Sequence, residues 1–160
     1  MCKASRPPMK SLLLERVRNE LRSQLDRLTR AAQEAHAAAT DPGSRAEGKY
    51  DTRSLEASYL AVGQARQVAE IAEALRIFEG LTLPSFSGDD EIDAGALVMV
   101  DLNGETSCFL LVPTSGGLVV EHEGMEVTLL TPDSGLYRSL LEMKVGDTLD
   151  APAVRVTAVG

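Results

Sequence analysis

Ala46-Glu47-Gly48-Lys49-Tyr50-Asp51-Thr52-Arg53-Ser54-Leu55-Glu56-Ala57-Ser58-Tyr59-Leu60 stands between two long runs of helical periodicity, and its reading decides the fold. Before it, Leu14, Val17, Leu21, Leu25, Leu28, Ala32 and Ala35 recur at steps of three and four, which puts them on one stripe of a helix. After it, Leu55, Tyr59, Val62, Ala65, Ala69, Ala72, Leu75 and Phe78 do the same. Two helices of similar length joined by a short turn pack antiparallel, and at ~1.5 Å rise per residue each extends for roughly 40 Å. The quoted stretch then begins at the far tip of a hairpin and ends as the start of the return helix. Glu47 and Asp51, with Asp41 just before them, would be presented at a point and not in a pocket. A bare tip cannot exclude water from a reaction, so any chemistry there is completed by a partner.

The punctuation supports this division. Pro7-Pro8 closes a loose leader, and Thr40-Asp41-Pro42-Gly43 stops the first helix, because Pro bars the preceding residue from helix and Gly accepts positive φ. Asp51 or Thr52 caps the second helix, with Glu56 in its first turns, where the dipole favours an anion, and Gly80 ends it. The expected domains are an antiparallel coiled-coil hairpin over 1–80, a linker over 81–93 carrying Pro84 and four acids, and a C-terminal domain over 94–160. The hairpin buries only a narrow seam and should be the less stable half.

The C-terminal part changes period. Runs at 96–100, 107–112, 118–120, 126–130 and 154–159 read as five short strands, with Asn103-Gly104 as a hairpin turn between the first two. Pro132 sits at a helix start, a short helix follows over 136–141, and Lys144 to Thr148 turns the chain. The fold class is therefore α+β: a two-helix hairpin followed by a compact antiparallel β domain with one short helix.

Charge and composition remove several functions. The net charge of −8 opposes diffuse binding to nucleic acid or an anionic membrane. Residues 1–30 hold eight basic and three acidic residues, a balance of +5, whereas 81–160 hold three and thirteen, a balance of −10. Such lopsidedness suits oriented docking on a charged partner. Cys2, Cys108, His36 and His122 lack companions at metal-ligand spacing. No apolar run approaches the ~20 residues of a membrane span, and a cytoplasmic protein is expected.

The segment Leu130-Thr131-Pro132-Asp133-Ser134-Gly135-Leu136-Tyr137-Arg138-Ser139-Leu140-Leu141-Glu142-Met143-Lys144-Val145-Gly146-Asp147 resembles the S-P-x-S-P-L-G-R-A-L-L-G-K-x-V-G-D signature of bacterial Gre-type transcript cleavage factors. Gly135 stands where that signature has Pro, and Glu142 where it has Gly. The order of parts also agrees, with a coiled coil, a linker and an FKBP-like C-terminal domain. The resemblance implies an elongation factor or secondary-channel regulator of RNA polymerase, and not an enzyme in its own right. Pro132, Asp133, Ser134 and Arg138 would dock on polymerase. The tip acids, drawn from Asp41, Glu47 and Asp51 with Tyr50 and Arg53 in support, would help hold the polymerase's second Mg²⁺ for hydrolysis of backtracked RNA. The protein would hold no cofactor or metal of its own and read no nucleic-acid sequence.

Two registers fit the family's tip. One takes Asp41 and Glu47 with Tyr50, and the other takes Asp51 and Glu56 followed by Tyr59. Two other functions are open to the same elements. A peptidyl-prolyl isomerase needs an aromatic-lined apolar pocket, for which Phe109 and Tyr137 are at hand. A coiled-coil adaptor would dimerise through the Leu14 to Ala35 stripe.

Overall fold

The computed structural model describes residues 10–40 and 53–160. Helix α1 runs Lys10–Thr40 and α2 runs Arg53–Gly80. Then follow β1 Leu97–Leu102, β2 Glu105–Leu111, β3 Val119–His122, β4 Met125–Leu130, α3 Gly135–Leu140, β5 Thr148–Leu149 and β6 Val154–Val159. The class is α+β, a helical hairpin followed by a six-stranded sheet with one short helix. The chain divides into two compact units, one formed by residues 18–79 and the other by residues 80–160 together with the first turns of α1 through Val17.

In the helical unit, α1 keeps its expected stripe. Leu21 and Ala35 are buried, and Leu25, Leu28 and Ala32 are half-buried between them. The stripe of α2 differs from the one expected. Tyr59 and Val62 are 69% and 63% exposed, and Ala65, Ala69 and Ala72 face outward as well. Of that stripe Leu75 and Phe78 are covered as expected, and the other covered positions are Ala61, Gln64, Val68, Ile71, Ala74 and Ile77. The physical reason is that α2 is apolar around much of its circumference, so several phases fit the 3.6 period equally well. At one end of the hairpin, Arg18 Nε donates to the Phe78 carbonyl at 2.9 Å, and Phe78 itself is fully buried.

In the other unit the sheet order is β3-β4-β2-β1-β6-β5. β1 and β2 pair antiparallel across a two-residue turn at Asn103-Gly104, both at positive φ (53° and 88°), as the I′ turn requires. A second such turn, Glu123-Gly124, joins β3 to β4. The sheet departs from the all-antiparallel expectation at one pairing, since β2 and β4 run parallel. The chain leaves β2, forms β3 at the sheet edge and returns as β4 in the place next to β2. Strand periodicity specifies which face is buried but not which neighbour is taken. A two-residue strand, β5, also follows the Lys144–Asp147 turn, where the sequence pattern showed only a turn.

One face of the sheet holds the core, in which Val98, Val100, Leu111, Leu140, Val154 and Val156 pack with Phe109, Tyr137 and Met143. Ile92, from the stretch expected as a linker, belongs to the same cluster at 1% exposure. Alternation puts Leu97, Leu110, Val127 and Leu129 on the opposite face, and all four are fully buried. Leu13, Leu14 and Val17 of α1 are buried in this unit too.

Candidate functional site

The signature segment folds into a rigid exposed corner. β4 ends at Leu130, and Thr131 to Ser134 form a turn closed by the Ser134 amide donating to the Thr131 carbonyl at 2.9 Å. Ser134 then caps α3 with extended backbone, its side chain accepting from the Tyr137 amide at 3.5 Å. The Thr131 hydroxyl donates to the Asp133 carboxylate. That hydrogen bond, with a smaller contribution from the Arg138 charge, holds the Asp133 carboxyl below its usual range. Gly116 backs the corner closely, since a Cβ there would lie 2.5 Å from Thr131 Oγ1. Pro132, Asp133 and Arg138 are exposed, Ser134 is half-buried, and Tyr137 and Leu140 anchor the helix in the core. The expected docking residues thus share one corner, held from beneath by packing.

Glu142 ends α3 in the left-handed region at φ 67°, the place where the resembling signature has Gly. Its amide donates to the Ile92 carbonyl at 2.9 Å, and the Ile92 amide donates to the Met143 carbonyl at 2.8 Å. These bonds compensate a conformation that costs a non-Gly residue about 1 kcal/mol. Beside them lies a cleft of about 680 Å³ whose lining includes Asp90, Glu91, Asp93, Glu142 and Arg138. Burial, with the Asp93 charge second, raises the Tyr137 hydroxyl above its usual range. The corner and the cleft therefore present a mainly negative surface with one cation.

Asp41, Glu47, Tyr50 and Asp51 lie outside the described residues, and of Arg53 only the backbone is described, as the first residue of α2. Of the second register, Glu56 and Tyr59 are exposed on α2. Among the described residues no group of His, Cys, Asp or Glu side chains could hold a metal ion, and no helix is long and apolar enough to cross a membrane. Tyr137 is buried at 6% exposure beneath α3, so it does not line an open aromatic pocket. Cys108 is buried, and desolvation pushes its thiol up to about 11, which leaves it inert as a nucleophile.

In solved structures, the chain is similar to GreA factor homolog 1. The Thermus thermophilus protein of that name is 20% identical, with 89% of this chain and 94% of that chain covered and a TM-score of 0.36. A further structure, of the transcription factor Gfh1, is 21% identical, with 89% and 92% covered and a TM-score of 0.36. Thermus aquaticus Gfh1 is 20% identical, with 88% and 92% covered and a TM-score of 0.34. No family model and no curated protein matches the chain.

Three features of the site escaped the sequence. The backing of Thr131 by Gly116 joins residues fifteen apart across the sheet. The left-handed Glu142 gives no local signal, because residue type alone does not mark it. Lys10 is the third: its ammonium donates to the carbonyls of Pro84 and Gly95 at 2.6 and 2.9 Å and lies 4.7 Å from the centre of the Phe86 ring. A lone lysine at a helix start follows no pattern that could have singled it out.

Proposed function

We propose that the chain is a Gre-like transcription factor that binds bacterial RNA polymerase at its secondary channel. The observation that carries this reading is the 130–147 signature folded as a capped, core-anchored corner with Pro132, Asp133 and Arg138 exposed on it. Residues held rigidly from beneath lose little side-chain freedom on docking, which is how such a corner contributes affinity. Asp133 and the neighbouring acid-lined cleft favour a basic surface on polymerase, and the −10 balance of residues 81–160 steers the encounter.

The hairpin supplies the second half of the reading. The segment between α1 and α2 contains Asp41, Glu47 and Asp51, which would add oxygen ligands to the weakly held Mg²⁺ of the polymerase and activate water for cleavage of backtracked RNA. The hydrolysis is the polymerase's own, and this chain contributes ligands and position. The test is RNA cleavage by stalled elongation complexes with the unaltered protein beside Glu47→Ala and Asp51→Ala. Stimulation that falls at least tenfold in one of the variants is the expected result. Stimulation that neither change reduces would refute the tip mechanism, and binding without stimulation would leave a channel regulator that does not cleave.

A further inference from the structure

Leu21 and Ala35 of the α1 stripe are buried within the hairpin, so that stripe is not open to another chain. The outer side of α2 is open. Tyr59 and Val62 stand 69% and 63% exposed there, and Ser58, Ala65, Ala69 and Ala72 are exposed beside them. Ser58, Val62, Ala65, Ala69 and Ala72 recur at steps of four and three, the spacing of a coiled-coil seam. Along this seam lies an apolar groove of about 800 Å³ between the two helices, to which Ala32 and Ala37 of α1 and Ala61, Val62, Ala65 and Val68 of α2 contribute. Alanines on both walls let a further helix approach closely.

The face is complementary to itself. Arg66 is exposed seven residues after Tyr59, two turns along the same side of α2. When an antiparallel copy of α2 is centred between Gly63 and Gln64, Val62 of each chain comes opposite Ala65 of the other, and each Tyr59 ring comes beside the other copy's Arg66 guanidinium. We propose that this face of α2 is a self-association surface, on which a second copy of the chain docks its own α2 antiparallel about a two-fold axis.

The two-fold repeats every contact, so each residue acts twice. Val62 and Ala65 supply the apolar seam, the groove receives the edge of the second copy's helix, and the paired Tyr59–Arg66 contacts fix the register. A partner of another kind would need both an apolar ridge and a cation at this spacing. A second copy brings both. The overlap is a few helical turns, so the dimer should be weak, with a dissociation constant on the order of 10 µM.

The experiment is sedimentation equilibrium of the full chain over a concentration series around that value. Val62→Glu puts a carboxylate into the seam from each chain and should weaken the dimer by at least about tenfold. Helix content by circular dichroism should hold in this variant, because the side chain is exposed in the single chain and Glu favours helix more than Val does. Arg66→Glu should weaken the dimer by about fivefold. Adding Tyr59→Lys to Arg66→Glu should restore it to within about twofold of the parent, since each lysine then meets the other copy's glutamate. A monomer up to roughly a hundred times the expected dissociation constant would overturn the proposal. So would a dimer that Val62→Glu leaves as tight, or a double variant no tighter than Arg66→Glu alone.

Discussion

The two units bury apolar surface in different ways. In residues 18–79 the described side chains below a tenth exposure are Leu21, Ala35, Ala74 and Phe78, and two of these four are alanine. In the sheet unit, branched aliphatics from β1, β2, β4 and β6 are closed on both faces, and α3 adds Leu140. At about 25 cal/mol per Å² of apolar area, an alanine seam stabilises far less than a layer of Val and Leu. The helical unit should therefore open more readily than the sheet, so the proposed docking corner stands on the stiffer unit, whereas Asp41, Glu47 and Asp51 fall in sequence between the two helices of the softer one.

The largest effect should come from Leu140→Ala, which empties a fully buried site beneath the docking corner. A loss of about 2–5 kcal/mol in urea unfolding is expected, and a loss below ~1 kcal/mol would show that the sheet core repacks more freely than described. Gly116→Ala comes next, because its methyl group would press on Thr131 Oγ1. We expect a cost of about 1–3 kcal/mol, with faster amide exchange at residues 131–137 as its local mark. Gly63→Ala should act in the opposite direction. Its Cβ would meet nothing within 4 Å, so added helix propensity should stabilise the hairpin by up to about 1 kcal/mol and slow exchange in α2 but not in β1 to β6.

A further effect is that of pH. The Lys10 amine is pulled down to about 8 in the folded chain from an ordinary 10.5, so between these values the unfolded chain binds more protons. Stability contributed by this group should be fully present above 10.5 and fall as the pH drops through 8. A Lys10→Met variant should lack that increment in thermal melts across the window, and an identical slope in both proteins would remove Lys10 as its source.

Much of the architecture was legible because local rules spoke loudly. Asp41-Pro42-Gly43 placed the end of α1, observed at Thr40, and Gly80 placed the end of α2. Asn103-Gly104 located the first strand turn, and the 154–159 alternation gave β6 at its observed bounds. The α2 stripe was misread because Tyr59, Leu60, Val62 and the alanines surround the helix with apolar positions. The parallel β2–β4 pairing and the place of Ile92 in the core depend on neighbours far away in sequence, which periodicity does not encode. At the site, Ser134 as a cap could be read from one residue and its position. The Glu142 backbone and the Lys10 carbonyl pair needed three-dimensional neighbours.

Docking of the Pro132–Arg138 corner on polymerase is tested by equilibrium binding of the labelled protein to bacterial core RNA polymerase. Binding should be saturable, displaced by a known secondary-channel factor, and weakened at least tenfold by Arg138→Glu while the thermal melt stays within ~0.5 kcal/mol of the parent. No saturable binding, or binding that Arg138→Glu leaves unchanged, would contradict it.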